Sequence, residues 1–170
     1  MARRLSYSAR YTLPTEKVYQ ALTSREMWDQ RMDEFRKLTP KSDIEEFSFD
    51  EENGLSVTLT QVLPRSELPP IAQTVMKKDM IITRHEKLAP YDAEKTEGTY
   101  DASIPAGPGS LTGWQELFDT DTGSTNRRTT EVKVFLPFIN GKLEQLILVN
   151  LVDLFREEAT FTTDWIAKNL

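Results

Sequence analysis

The N-terminal part of the chain alternates between apolar and polar residues with a period of two. The apolar positions are Leu5, Tyr7, Ala9, Tyr11 and Leu13, and the residues between them are polar. Side chains along a strand point to opposite faces in turn, so this period predicts a strand with one buried face, which Pro14 ends. Thr15 can cap a short helix, and a second helical segment over 26–35 follows; each has apolar residues on one side.

The middle of the chain predicts a run of strands separated by turn residues. The predicted strands cover 45–49, 55–63, 80–88, 96–104, 111–118 and 128–136. Asn53 and Gly54 lie between the first two, and this pair favours a tight hairpin because both residues tolerate positive φ. One or two helical turns could form over 69–76. Because the connections are short, successive strands are expected to pair antiparallel.

The C-terminal segment from residue 142 to residue 169 contains neither proline nor glycine. It can form one helix of about 28 residues, roughly 42 Å long. At 100° per residue, one face carries an apolar stripe of Leu143, Ile147, Leu151, Leu154, Phe161 and Trp165. A helix with such a stripe must lie across the sheet to bury it. The side chains expected to be largely buried are Leu143, Ile147, Leu154 and Trp165, while Asp153 and Lys168 should be more exposed.

Three passages of the sequence resemble the START-like superfamily. They are LPTEKVYQALT at 13–23 with Trp28 shortly after, the glycine-rich PAGPGS at 105–110, and VKVFLPFINGKLE at 132–144, where a strand enters the last helix. In this order they are most similar to an uncharacterised actinobacterial family of unknown function within that superfamily. The resemblance covers essentially the whole chain, residues 1–170, as a single domain.

The resemblance implies the helix-grip fold. This is an α+β fold in which a curved antiparallel sheet of about six or seven strands wraps around a long C-terminal helix, with two short helices after the first strand. The resemblance also implies a cavity between sheet and helix, which the superfamily uses for lipids, sterols, polyketides and hormones. It implies no catalytic motif, so no catalytic residue is expected.

Composition and charge exclude several classes of partner. The 170 residues include 27 acidic and 21 basic side chains, a net charge of -6, and the basic residues cluster only in pairs, so nucleic-acid binding is not expected. There is no cysteine, which excludes disulfides and thiolate chemistry. No apolar run approaches the length needed for stable membrane insertion, and the first residues lack the apolar segment of a signal peptide. We expect a cytoplasmic monomer or homodimer.

Glu158 is the residue most suggestive of a site, because it lies near the centre of the predicted apolar stripe. An unpaired buried carboxylate is costly, so it must be paired, hydrated or protonated. It could orient the polar group of a ligand in the cavity. Alternatively, it could form a structural salt bridge to an arginine of the sheet, for which Arg84 is the first candidate, or it could face solvent near the helix end. We expect the salt bridge.

His85 is the only histidine, and its ordinary pKa lies near neutrality, so it could act as a general base. Its strand has apolar residues in both phases, which leaves open whether it faces the cavity, and a surface or hydrogen-bonded histidine is the simpler interpretation. A single histidine also argues against a zinc or iron centre, since such centres normally have two or more nitrogen or sulfur ligands. We therefore expect no metal and no cofactor.

The sequence predicts a set of residues that line the ligand cavity. They are Tyr11, Phe47, Arg84, His85, Tyr100, Leu154, Glu158 and Trp165. The aromatic members could equally fill the cavity as core. We expect a non-catalytic protein that binds an apolar, lipid-like or polycyclic small molecule. The alternatives are an enzyme of the polyketide cyclase or dehydratase type, which would use the same cavity, and a protein-interaction module with a filled core.

Overall fold

The chain is built around one antiparallel sheet and a long C-terminal helix. The computed structural model describes residues 2–104, 109–134 and 140–170. The strands are β1 (Ala2–Tyr11), β2 (Asp43–Asp50), β3 (Gly54–Leu63), β4 (Met80–Leu88), β5 (Thr96–Ser103), β6 (Gly109–Thr120) and β7 (Gly123–Val134). The α-helices are α1 (Thr15–Leu22), α2 (Arg25–Leu38), α3 (Pro70–Val75) and α4 (Asn140–Asn169), and a 3-10 turn spans Arg65–Glu67.

The first and second strands of the chain form the two opposite edges of the sheet, and α1 and α2 connect them. The seven described strands are ordered β1-β7-β6-β5-β4-β3-β2. All neighbouring pairs are antiparallel. Helices α1 and α2 connect the edge strand β1 to the opposite edge strand β2. Helix α4 packs on β1 and β7 and also contacts α1 and α2, so it lies on the inner face of the sheet. The predicted helix-grip architecture is confirmed.

The hairpin between β2 and β3 forms where Asn53 and Gly54 predict it. Gly54 pairs with Asp50 and has a φ of 81°, a conformation that glycine adopts without strain. A Cβ at Gly54 would also lie 2.1 Å from the backbone oxygen of Leu88. The Asp50 carboxylate accepts hydrogen bonds from the backbone N–H groups of Glu52 at 2.9 Å and Asn53 at 2.7 Å. Glycine is therefore required at this turn by both conformation and space.

Helices α1 and α2 are joined by a buried tryptophan. Trp28 is 2% exposed, and its indole Nε1 donates a hydrogen bond to the backbone oxygen of Leu22 at 2.8 Å. Met27 and Met32 are also buried on the same helix. This packing explains the apolar side that the sequence predicts for the second helical segment, and it brings α2 against the inner face of the sheet.

The buried face of α4 is rotated from the predicted stripe. Trp165 is buried as expected, but Ile147 and Leu154 are only half-buried, while Leu148 and Phe155 are buried in their place. The helix packs against β1 and β7 and also against α1 and α2. Its most buried line includes the polar residues Glu144, Glu158 and Thr162, which a search for apolar positions does not find. The expected exposure of Asp153 and Lys168 is confirmed, and the side chain of Leu143 lies outside the described residues.

Strand β2 turns Phe47 and Phe49 to the inner face, opposite the buried Val57 and Leu55, but covers them only in part. It is an edge strand with an irregular register between Ile44 and Glu46, and Ile44 is its one buried residue. Phe47 is half-buried and Phe49 is 36% exposed. The predicted glycine-rich turn at 105–108 and the end of the last predicted strand, at 135–136, lie outside the described residues. Among the helices described, none is both long enough and apolar enough to cross a bilayer.

Candidate functional site

Five charged side chains are buried between the sheet and α4. They are Arg31, Arg84, Glu86, Arg128 and Glu158, and each is between 3% and 7% exposed. We call these five residues the charge cluster. Charged side chains are rarely buried to this degree unless they are paired, so this is the most unusual feature of the interior.

Strand alternation brings the sheet members of the cluster to the inner face. Arg84 and Glu86 are two residues apart on β4 and therefore point to the same side, and Arg128 points inward from β7. Glu158 faces them from α4, and Arg31 approaches from α2. Four separate elements thus converge on one point of the inner face.

Arg84 forms the centre of the cluster. Its Nη1 donates to Oε2 of Glu158 at 2.8 Å and its Nη2 donates to Oε1 of the same carboxylate at 3.0 Å, which is the paired geometry that guanidinium and carboxylate groups favour. Its Nε donates to Oε1 of Glu86 at 2.9 Å. The same oxygen accepts a hydrogen bond from Nη2 of Arg128 at 2.8 Å. The predicted salt bridge between Arg84 and Glu158 is confirmed.

Arg31 is paired less completely than Arg84. Its Nη2 donates to Oγ1 of Thr162 at 2.6 Å, and its Nη1 lies 3.9 Å from Oε2 of Glu158. Thr162 in turn donates to the backbone oxygen of Glu158 at 2.8 Å. The guanidinium carbon lies 4.7 Å from the centre of the Trp28 ring. Arg31 is thus held by a hydroxyl and an aromatic face rather than by a close carboxylate.

Arg128 packs against two aromatic rings. Its guanidinium carbon is 4.2 Å from the ring centre of Tyr100 and 4.3 Å from that of Phe155. The hydroxyl of Tyr100 is hydrogen-bonded to Oγ1 of Thr130 at 2.6 Å. Gly113 lies opposite both Tyr100 and Thr130, and a Cβ there would be 2.2 Å from Cζ of Tyr100. The absent side chain of Gly113 makes room for the Tyr100 ring to reach across the sheet and stack on Arg128.

The pKa values of the cluster follow from burial opposed by charge pairing. Burial alone would raise the pKa of Glu86, but the guanidinium groups of Arg128 and Arg84 lower it to about 2. The pKa of Glu158 is likewise lowered, since Arg84 and Arg31 outweigh burial. Burial lowers the pKa of Arg31, which Glu158 offsets only in part. Both carboxylates are therefore ionised at neutral pH, and the cluster holds three guanidinium groups against two carboxylates.

Several buried polar atoms of the interior lack a hydrogen-bond partner among the described residues. They are Nε of Arg31, Nε2 of Gln115, Oδ1 of Asn126, Nε of Arg128 and Nε1 of Trp165. Four of these atoms are donors and one is an acceptor. Gln115 is the register partner of Arg128, and Nδ2 of Asn126 donates to Oε1 of Gln115 at 3.1 Å. The unpaired atoms of the sheet therefore lie beside the charge cluster.

The structure brings four of the eight predicted cavity residues together at the charge cluster, namely Arg84, Glu158, Tyr100 and Tyr11. Arg84 and Glu158 belong to the cluster, Tyr100 stacks on Arg128, and Trp165 is buried on α4. Tyr11 is buried within electrostatic range of Arg31, Arg128 and Glu158, and burial raises the pKa of its hydroxyl to about 12. The half-buried Leu154 lies beside Phe155 on α4.

Two predicted residues lie elsewhere. His85 is between Arg84 and Glu86 on β4 and so points to the outer face, where its Nδ1 is hydrogen-bonded to Oγ1 of Thr58 at 2.9 Å. Phe47 is on the edge strand, 5.8 Å from the guanidinium carbon of Arg25. Neither takes part in the charge cluster.

Sequence reasoning missed three members of the cluster, namely Arg31, Glu86 and Arg128. A signal for Arg128 was present, because the buried Val132 and Val134 set the phase of β7 and counting back in steps of two reaches Thr130, Arg128 and Asn126. For Arg31 there was none, since a charged residue on a short helix normally faces solvent.

Two cavities of the described surface lie away from the charge cluster. They have volumes of about 320 and 610 Å³ and are lined mainly by residues that point away from α4, including Arg10 and Arg127 in the smaller and Lys87 and Trp114 in the larger. The charge cluster lines neither of them. Within the described ranges, no three histidine, aspartate or glutamate side chains are placed to hold a metal ion.

Comparison with known proteins finds a family and related sequences whose matches extend over nearly the whole length of the chain. The sequence model of the family described as "Protein of unknown function (DUF2505)" matches residues 6–166. An uncharacterized protein of Mycobacterium tuberculosis, Rv0481c, is 29% identical over 178 residues, and the match covers all of both chains.

Solved structures share the fold at low sequence identity. The protein Ara h 8.0201 is 11% identical with a TM-score of 0.55, and the match covers 99% of this chain and 100% of that one. Norcoclaurine synthase from Thalictrum flavum is 12% identical with a TM-score of 0.56, covering 99% of this chain and 88% of that one. At these identities the likeness concerns the fold alone. These structures share the fold that the sequence resemblance implies, and the chain belongs to the DUF2505 family.

Proposed function

We propose that this protein binds an apolar, lipid-like or polycyclic small molecule between the sheet and α4, and that it does so without chemical turnover. The proposal rests on one observation above the others. The interior contains a cluster of buried charges with unpaired donors beside it, surrounded by aromatic and aliphatic side chains.

In a core that serves packing alone, such a cluster would add little to the stability of the fold. Replacing a buried ion pair by apolar residues of similar volume is often neutral or stabilising. Each unsatisfied buried polar group costs about 1–3 kcal/mol. A bound molecule with a polar end would supply partners for the donors of Arg31, Gln115 and Arg128, while its apolar body would contact residues such as Phe155.

The state of the carboxylates favours binding over catalysis. A general acid needs a proton to give, but the guanidinium partners of Glu86 and Glu158 hold the pKa of each carboxyl below its ordinary value. Both side chains are also held in place by hydrogen bonds from Arg84. One protein that shares the fold is named a synthase, so the fold by itself is compatible with catalysis. The preference for binding comes from the charge cluster.

Native mass spectrometry of the protein purified from its own host tests this function. We expect a species heavier than the polypeptide by the mass of one small molecule, which is released by organic solvent and recovered unchanged after incubation. Arg127→Gln is the matched control, because Arg127 is exposed on the outer face next to Arg128, and this variant should carry the same molecule. A bare polypeptide under gentle ionisation, or conversion of the released molecule on incubation, would contradict the proposal.

A further inference from the structure

The charge cluster holds more positive than negative charge. Arg31, Arg84 and Arg128 contribute three guanidinium groups, and Glu86 and Glu158 contribute two carboxylates. The other buried acid of α4 is Glu144, whose Oε2 accepts a hydrogen bond from the backbone N–H of Val134 at 2.9 Å. It is 14 residues before Glu158, about 21 Å along a helix, so it does not neutralise the excess.

The excess charge falls on Arg31 and Arg128 rather than on Arg84. Arg84 contacts both carboxylates directly. Arg128 donates to Glu86 through Nη2, and Arg31 reaches Glu158 only at 3.9 Å. In both residues Nε is buried and has no acceptor in the described part of the chain.

The unpaired hydrogen-bonding groups also favour an electron-rich partner, because most of them are donors. Four of the five are donors, and exchanging the O and N atoms of the Gln115 and Asn126 amides would leave one free donor and one free acceptor between them as before. A group that satisfies this set must accept hydrogen bonds. Guanidinium groups match the planar, two-oxygen geometry of carboxylates particularly well.

We propose that the polar end of the bound molecule is an oxyanion of the carboxylate class, and that Arg31 and Arg128 recognise it. This inference rests on the proposed function, and it narrows the ligand to an amphipathic acid. One negative charge would balance the excess of the cluster. The aromatic faces of Trp28 and Phe155 beside the two arginines would contact the apolar part of the molecule next to the acid group.

Two fluorescent probes that differ by one anionic group test this inference. They are 8-anilinonaphthalene-1-sulfonate and N-phenyl-1-naphthylamine, which share a ring system, and only the first carries a sulfonate as a stand-in for the acid. In fluorescence titrations the wild-type protein should bind the sulfonate at least about tenfold more tightly than the neutral probe, as expected for one charge-assisted pair. Sodium dodecanoate should displace it more effectively than dodecan-1-ol.

Variants locate the effect. Arg128→Gln and Arg31→Gln should each reduce the preference for the sulfonate about tenfold, while affinity for the neutral probe changes little and Arg127→Gln matches the wild type. Circular dichroism identifies any variant that fails to fold, and the preference of the wild type for the sulfonate can be measured without any variant.

Equal binding of both probes by the wild type would overturn the inference and leave the proposed function standing. Binding of neither probe would overturn both. A preference that persists in both folded arginine variants would place the anion elsewhere and refute the assignment.

Discussion

At the scale of single residues, the interior depends on a few side chains that fix the position of others. Tyr100 can reach Thr130 and cover Arg128 only because Gly113 has no side chain. Arg84 can bind both carboxylates because Glu86 lies two residues away on its own strand and Glu158 faces it from α4. Each arrangement makes a prediction that a single substitution can test.

Gly113→Ala should destabilise the protein by about 1–3 kcal/mol, the usual cost of overpacking. The new Cβ would collide with the Tyr100 ring, which would lose its hydrogen bond to Thr130 and its contact with Arg128. Urea denaturation measures the change. Gly141→Ala is a suitable control, because the nearest atom to a Cβ there is 3.3 Å away in the flexible side chain of Arg3. Equal stability of wild type and Gly113→Ala would show that Tyr100 is not confined in this way.

Glu158→Gln should cost about 3 kcal/mol or more, because Arg84 and Arg31 would keep their buried charge and lose a carboxylate partner. Glu157→Gln, one residue away and exposed, should change the free energy of unfolding by less than about 0.5 kcal/mol. Thermal melts of the two variants at neutral pH compare them directly. If the two variants melted together, the ion pair would contribute nothing to stability.

Part of this residue-scale picture could be predicted from the sequence. Glu158 stands out because a carboxylate on an apolar stripe needs a partner, and Arg84 was the natural candidate on a neighbouring strand. Arg128 could be recognised only from the phase of β7, and Glu86 could not be recognised at all, because a charged residue in a strand ordinarily indicates the solvent face. The inward direction of Glu86 depends on the phase of β4, which has apolar residues in both phases.

At the scale of elements, local patterns predicted strands and helices well but did not predict which face of each would be covered. The period of two in β1 and the turn at Gly54 follow from local rules. Phe47 and Phe49 alternate as in a half-buried strand, yet β2 lies at the edge of the sheet and leaves them partly exposed. Which strand is an edge depends on long-range pairing that no local pattern contains.

The rotation of α4 predicts that truncating Phe155 destabilises the protein more than truncating its neighbour Leu154. Phe155→Ala should cost about 3–5 kcal/mol, since it removes a buried ring from between Tyr7, Tyr100 and Arg128. Leu154→Ala should cost less, below about 2 kcal/mol, because its side chain is only half-buried. Urea denaturation of both variants decides which residue faces the core. A larger loss for Leu154→Ala would restore the stripe that apolar positions alone predict.

At the scale of the whole molecule, the charge cluster joins α2, β4, β7 and α4, so its ionisation should affect global stability. Glu86 has a pKa of about 2 in the folded protein and 4.5 ordinarily, so folding favours its ionised form. The stabilisation that ionised Glu86 gives the folded protein is fully present above pH 4.5 and is lost as the pH falls toward 2. The free energy of unfolding should therefore decrease over this range, by something on the order of 3 kcal/mol from Glu86.

Urea denaturation between pH 6 and pH 2 measures this dependence. Glu86→Gln should be less stable than the wild type at pH 6 and should lose less stability on acidification. Glu158 titrates in the same direction, so some dependence remains in this variant. Parallel curves for wild type and Glu86→Gln would mean that folding does not change the pKa of Glu86.

A crystal structure of the protein purified from its own host, without any step that strips bound molecules, tests the central claim most directly. We predict electron density for a small molecule between the sheet and α4, with an acidic group at Nε of Arg31 and Nε of Arg128 and an apolar body along Phe155. Density showing only packed side chains and ordered water around those two arginines would contradict it.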